Sequence, residues 1–183
     1  MVNSTIANAV RKFLDNQLLL YTFDDENGMF SFRIYSKNRI LMRFGGVRVV
    51  GFVNAESLLV YAFYPQIVTD ARTAETIKEF LRAANIATVA GNFEFHDGVI
   101  RYKSYAELAG GMFPSSECIS NTIYLGIATL DRYAKEISTI IGTDASREEL
   151  TDIVKHIQYF SKGPDPFALY AMFARVKKEL EKR

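Results

Sequence analysis

The 183-residue chain has one cysteine, two histidines and no tryptophan, and neither sign of charge is in excess. A single cysteine cannot form an internal disulfide or complete a cysteine-rich zinc site, so a reducing compartment, the cytosol, is expected. Because 22 basic side chains balance 21 acidic ones, neither a general nucleic-acid coat nor a polybasic membrane-binding surface is expected. No apolar run approaches the roughly 18 residues of a membrane span. Arg11 and Asp15 interrupt the first residues, which therefore do not resemble a signal peptide.

The residues that are present favour a folded domain. Hydrophobic residues make up 49% of the chain and charged residues 23%, which is typical of a protein with a buried core and not of a disordered chain. We predict an α+β domain over residues 1–142 and a C-terminal helical hairpin over residues 143–183, which we expect to pack on the same domain. The boundary is placed after Gly142, and a capping box from Ser146 to Glu149 opens the first helix of the appendage.

A short helix and then a β-meander are predicted in the first third of the chain. Asn3 or Ser4 would cap the helix, which runs to about Asn16. From residue 18 to residue 64 the hydrophobic period changes to two, which predicts up to five antiparallel strands. Their turns are expected at Asn27-Gly28, Lys37-Asn38-Arg39, Gly45-Gly46 and residues 54–57.

These turns fix the expected strand register. A two-residue turn at Asn27-Gly28 pairs Phe23 with Phe32, and one at Gly45-Gly46 pairs Met42 with Val49. Pro65 is expected to end the last strand of the meander, because proline cannot donate a backbone hydrogen bond to the sheet.

The second half alternates helix and hairpin. A helix is predicted from Thr69 or Asp70 to about Asn85, and a long helix over residues 117–141. Between them Asp97-Gly98 is a type I′ turn signal. The register of this hairpin pairs Phe95 with Ile100, Phe93 with Tyr102 and Glu94 with Arg101. The fold class that follows is α+β, with an antiparallel sheet made of the meander and the second hairpin and flanked by helices.

Residue patterns that signal catalysis are not found. The sequence has no phosphate-binding loop, and the glycines near residue 50 precede no helix. His96 and His156 have no cysteine pair near them, so no metal ligand set is predicted. Cys118 falls early in a predicted helix but lacks an identifiable base, which favours a structural cysteine. We therefore predict no catalytic, cofactor-binding or metal-binding residues, and a protein that is not an enzyme.

One face of the predicted sheet has an unusual composition. The expected register places Arg43 opposite both Arg33 and Arg48, which gives a row of three arginines on the face away from Phe32. On the same face, the turn at residues 54–57 places Phe63 beside Arg48. It also brings Tyr61 beside Val50 and Phe52 near Leu59.

Three explanations of this face remain open. A helix of the same chain could cover it, with the arginines extending outward on their apolar stems. Another protein, including a second copy, could cover it, because an exposed apolar face of this size is typical of an interaction site. Single-stranded nucleic acid or another anion could bind there, because arginine and aromatic side chains suit phosphates and stacked bases. We predict that it binds a protein partner through Arg33, Arg43, Arg48, Phe52, Leu59, Tyr61 and Phe63.

A series of segments in the middle of the chain has the order and spacing of a known domain family. The segments are Leu58–Ala62, Pro65, Glu75–Leu81, Ala84-Asn85, Gly91–Phe95, Asp97–Tyr102 and Asp131-Arg132-Tyr133. In these segments the chain resembles the YbjN-type domain family, whose members are described as candidate bacterial sensory transduction regulators. The resemblance covers roughly residues 20–142.

The resemblance implies a strongly twisted antiparallel sheet flanked by helices, similar to type III secretion chaperones and often dimeric. It also implies a binding or regulatory role and no catalytic residues. The neutral charge of this chain departs from those chaperones, which are typically acidic. From the composition of the sheet face and the resemblance together, we predict a cytoplasmic, non-enzymatic protein-binding module, chaperone-like or adaptor-like, that forms a homodimer. RNA or single-stranded DNA binding on the same face is the alternative.

Overall fold

The computed structural model of the protein describes residues 2–35, 37–88, 90–108, 110 and 113–142. Its helices are α1 (Ser4–Asn16), α2 (Arg39–Arg43), α3 (Ala71–Ile86) and α4 (Ser116–Gly142). Its strands are β1 (Tyr21–Asp24), β2 (Met29–Ile34), β3 (Val47–Val53), β4 (Ser57–Ile67), β5 (Asn92–His96) and β6 (Val99–Glu107). The appendage predicted over residues 143–183, with its helical hairpin and His156, lies outside the described residues.

The strands form one antiparallel sheet in the order β1-β2-β3-β4-β6-β5. The first four strands follow one another, and α3 then leads the chain to the far edge. Strand β6 returns from that edge and lies between β4 and β5. The predicted α+β class, with an antiparallel sheet flanked by helices, is confirmed.

The core lies between the helices and one face of the sheet. Alternate residues along β2, β3 and β4 are buried there, as expected for strands with one covered face. Helices α1, α3 and α4 add their apolar stripes to the same cluster, including Phe13, Phe80 and Tyr133. Phe80 and Phe93 both contact Tyr133 edge to face, so α3, α4 and β5 meet at one aromatic centre.

The predicted register of the first hairpin is wrong by two residues. Phe23 pairs with Phe30, and Tyr21 with Phe32. The reason is that the Asp24 carboxylate accepts hydrogen bonds from the backbone N–H groups of Glu26 and Asn27, which turns the chain directly after Asp24. A shift of two residues preserves the side-chain alternation, so the apolar residues still face the core.

The strand predicted over residues 40–44 is instead the short helix α2. The Asn38 side chain caps this helix by accepting from the Ile40 N–H, and its amide group donates to the Asp131 carbonyl of α4. Leu41 is buried beneath the turn. Strands β2 and β3 therefore pair directly, with Phe30 opposite Gly51, and the meander has four strands.

Strand β4 continues past Pro65, contrary to the expectation that this residue ends it. The regular register stops after Phe63, and pairing resumes where Ile67 lies opposite Val99. A proline cannot donate a backbone hydrogen bond to the neighbouring strand. Pro65 is therefore accommodated in the irregular segment between Phe63 and Ile67.

The remaining elements predicted before residue 143 are confirmed. The Asp70 side chain caps α3, and Asn3 caps α1. The second hairpin has all three predicted pairs across Asp97-Gly98. Ser115 caps α4 by accepting from the Cys118 N–H at 3.0 Å.

Helix α4 crosses the sheet at a glycine. A Cβ atom added to Gly126 would lie 2.9 Å from the Ala62 Cβ of β4 and 3.4 Å from a ring carbon of Tyr102 in β6. One turn earlier, the buried Ser104 hydroxyl of β6 donates to the Thr122 carbonyl at 2.6 Å. The helix axis therefore lies closer to the sheet than any larger residue at position 126 would allow.

We expect Gly126→Val to lower the free energy of unfolding by about 1–3 kcal/mol, because the added atoms overpack this contact. Gly142→Val is the matched control, since no atom of the described residues lies within 4 Å of the added Cβ. Denaturant titration followed by circular dichroism measures both. Equal stability of the two variants would contradict the close-approach argument.

Burial of three tyrosines raises their pKa values. Desolvation of the hydroxyl raises the pKa of Tyr64, Tyr102 and Tyr124 to about 12 in each case. The unfolded chain loses these protons near pH 10, whereas the folded chain keeps them. The unfolded state is therefore favoured progressively as the pH rises above 10.

We expect the free energy of unfolding to fall steadily between pH 10 and pH 12. Denaturant midpoints measured across this range, with tyrosinate absorbance recorded in parallel, check the expectation. Tyr124→Phe should reduce the slope, because it removes one titrating hydroxyl and keeps the ring. A slope unchanged by this substitution would argue against burial of the hydroxyl as the cause.

Candidate functional site

The sheet face opposite the helices is the candidate site, and we call it the outer face. The described helices all contribute their buried residues to the core cluster on the other side. The outer face is formed by the side chains that alternate with the core residues along β2, β3, β4 and β6. They are Met29, Ser31, Arg33, Arg48, Val50, Phe52, Leu59, Tyr61, Phe63, Arg101, Lys103 and Tyr105.

Strand pairing arranges these side chains in rows across the sheet. The first row contains Arg33, Arg48, Phe63, Arg101 and, on β5, Glu94. The second contains Ser31, Val50, Tyr61 and Lys103. The third contains Met29, Phe52, Leu59 and Tyr105. The pairs Phe63–Arg48, Tyr61–Val50 and Phe52–Leu59 are those predicted from the sequence.

An apolar strip runs along β3 and β4 in the middle of the outer face, and it consists of Val50, Phe52, Leu59, Tyr61 and Phe63. All five side chains are half-buried. The Tyr61 ring centroid lies 6.3 Å from the Phe52 and the Phe63 centroids. The strip therefore presents a connected aromatic and aliphatic surface that none of the described helices covers.

Arg101 connects the strip to an ion pair. Its guanidinium group lies 4.4 Å from the Tyr61 ring centroid and donates to the Glu94 carboxylate at 2.7 and 2.8 Å. Lys103 approaches the other carboxylate oxygen at 3.9 Å. Cation–π and ionic contacts thus hold Arg101 over the tyrosine ring, and Glu94 compensates part of the local positive charge.

Arg33 and Arg48 lie directly opposite each other on paired strands. Arg33 donates to the Gly45 carbonyl at 2.8 Å, whereas the exposed Arg48 has no hydrogen-bond or ion-pair partner among the described residues. Like charges at directly opposed positions destabilise a sheet. This end of the outer face therefore has positive charge that the described carboxylates leave uncompensated.

The predicted position of Arg43 is wrong. This residue ends helix α2, where it is exposed and lies 5.7 Å from the Phe44 ring. The physical reason is the Asn38 cap, which makes residues 39–43 helical. The structure brings together the other six predicted binding residues and adds Arg101, Lys103 and Tyr105. The hairpin pattern places Arg101 beside Glu94, but the pairing of β4 with β6 has no local sequence signal.

The residues considered for catalysis lie away from the outer face or at its border. Cys118 is half-buried in the first turn of α4. His96 is exposed beside Asp97, with a nitrogen–oxygen distance of 3.1 Å. Within the described ranges, no three histidine, cysteine or acidic side chains are grouped as metal ligands. In the same part of the chain, no helix has both the length and the apolar character of a membrane span.

We expect Arg48→Gln to raise the free energy of unfolding by about 0.2–1 kcal/mol at low salt, because it removes the repulsion from Arg33. The gain should shrink at high salt, where the charges are screened. Arg82→Gln, on the exposed side of α3, is the control for loss of an arginine. Denaturant titration at two salt concentrations measures both, and a gain that salt does not change would contradict the repulsion.

Comparison with known proteins gives similarity in fold. No family model and no curated protein matches the sequence. The chain is similar to the crystal structure of YbjN from E. coli, a candidate transcription regulator, at 13% identity and a TM-score of 0.45, over 74% of this chain and 87% of that one. It is also similar to the ExsC-ExsE complex at 18% identity and a TM-score of 0.45, over 80% of this chain and 100% of that one.

Proposed function

We propose that the chain is a non-enzymatic protein-binding module, chaperone-like or adaptor-like, and that a protein partner binds on the outer face. The observation that supports this proposal is the apolar strip, whose five side chains are half-buried on a sheet face without a described helix. An antiparallel sheet with one free face normally carries polar residues there. An apolar surface bordered by charge is typical of an interaction site.

The chemistry of the outer face suits a protein interface. Aromatic and arginine side chains are enriched at such interfaces and supply much of the binding free energy. Tyr61 is central in the strip and contacts Phe52, Phe63 and Arg101. Its ring is therefore held in place before a partner arrives, which lowers the entropy lost on binding.

The structures similar in fold include YbjN and the ExsC-ExsE complex. One of them is a complex between two proteins. The proposal rests on the outer face and not on that likeness. The predicted homodimer and the predicted cytoplasmic location stay predictions.

Single-stranded nucleic acid is the second candidate for the outer face. The stacking of Arg101 on Tyr61 resembles the combination of cations and rings on which bases stack. Val50 and Leu59 in the same strip favour a protein, because aliphatic side chains offer no ring for a base.

We expect the double substitution of Tyr61→Asp and Phe63→Asp to abolish the capture of protein partners, because two carboxylates would be placed within the apolar strip. Affinity purification with mass spectrometry compares the captured proteins with those of the unaltered chain. Light scattering in parallel reports whether a second copy is among the partners.

Ile86→Asp is the matched control, since this isoleucine is 73% exposed at the end of α3, in the helical layer. Circular dichroism verifies that all variants are folded. Unchanged capture and unchanged self-association in the double variant would refute the proposal. Binding of an oligonucleotide that weakens steeply with salt would favour the second candidate.

A further inference from the structure

The charges on the outer face are separated along the strands. At one end of the apolar strip lie three cations, which are Arg33, Arg48 and Arg101, and Lys103 lies in the next row. The carboxylate beside them is Glu94, which already contacts Arg101 and Lys103. The described part of this end is therefore positive, although the whole chain is almost neutral.

The opposite end of the strip is acidic. Asp24 lies opposite Met29 in the pairing of β1 with β2, and Glu107 lies opposite Ser57 in the pairing of β4 with β6. Both positions continue the outer-face alternation of their strands. The outer face thus has a positive end and a negative end, with the apolar strip between them.

We propose that the partner binds through an acidic amphipathic segment, whose apolar side chains lie on the strip and whose Asp or Glu side chains pair with Arg33 and Arg48. This inference rests on the proposed function and specifies the chemistry of the partner. The charge complementarity of the positive end is the observation that supports it.

The positions of the two arginines suit a carboxylate. Directly opposed residues of an antiparallel pair have Cα atoms about 4.5–5.5 Å apart, so one carboxylate can contact both guanidinium groups. Charge-assisted hydrogen bonds between arginine and carboxylate are short and strong. Such a contact would also remove the repulsion between Arg33 and Arg48, so binding would relieve a strain of the free protein.

The length of the strip limits the length of the segment. From the first row to the third, the strip spans four residue steps along a strand, or about 14 Å. A helix covers about the same distance in nine residues, with apolar side chains at the first, fourth or fifth, and eighth positions. Because Asp24 lies at the β1 edge of the third row and Glu107 lies one row beyond it, the acidic residues belong at one end of the segment only.

The test uses three fluorescein-labelled amphipathic peptides of about 15 residues with the same apolar positions. They carry glutamate, glutamine or lysine at one end. Fluorescence anisotropy at low salt measures their binding to the full chain. We expect the glutamate peptide to bind about tenfold more tightly than the glutamine peptide, and the lysine peptide to bind most weakly.

A double substitution, Arg33→Gln with Arg48→Gln, should bring the glutamate peptide to the affinity of the glutamine peptide, while Arg82→Gln leaves it unchanged. If the three peptides bind equally well and Tyr61→Asp abolishes their binding, the inference of an acidic segment is overturned and the proposed function stays intact. Binding of a labelled oligothymidylate but of no peptide would overturn both. The chain could also self-associate in a way that Tyr61→Asp abolishes and the glutamate peptide does not displace. This result would place a second copy on the outer face and would also overturn the inference of an acidic segment.

Discussion

The contact between helix α4 and strands β4 and β6 at Gly126 positions the rest of the helical layer. With no side chain at that position, the helix lies against Ala62 and Tyr102, and the Ser104–Thr122 hydrogen bond fixes it along the sheet. The helix then presents its aromatic residues to its neighbours. Tyr133 meets α3 and β5 at one end, and Tyr124 meets α1 near the other. A single close crossing therefore orders three helices on one face of the sheet.

Because the described helices gather on that face, none of them covers the outer face. Strand β4 contributes side chains to both faces of the sheet. Leu58, Val60 and Ala62 are buried in the core. Leu59, Tyr61 and Phe63 alternate with them on the outer face. The same register that packs the core places the apolar strip beside the arginines. The core and the proposed binding surface thus depend on one strand alignment, and a slip of one residue would exchange the two sets of side chains.

Features with local causes could be predicted from the sequence. The register of the second hairpin could be predicted because the turn type of Asp97-Gly98 and the cross-strand pairs agree. The pairing of β3 with β4 could be predicted from the turn at residues 54–57. The errors arose where side chains compete with the strand pattern. The Asp24 carboxylate formed an earlier turn, and Asn38, held by the Asp131 carbonyl of a distant helix, started α2 and moved Arg43 off the sheet. Arg101 joined the first row through the β4–β6 pairing, which joins distant segments and has no local signal.

The position of β6 between β4 and the edge strand β5 has a consequence for how the chain reaches this fold. Strands β1 to β4 pair with their sequence neighbours, and β5 with β6 likewise, so each group can form through short loops. The two groups join only along the β4–β6 seam, which closes the loop that contains α3 and β5. Loop-closure entropy opposes this step, and the apolar and hydrogen-bonding contacts of α4 with both strands favour it. Among the described strands, the β4–β6 pairing therefore joins the segments that are farthest apart in the sequence, and α4, which contacts both strands, holds the two groups together.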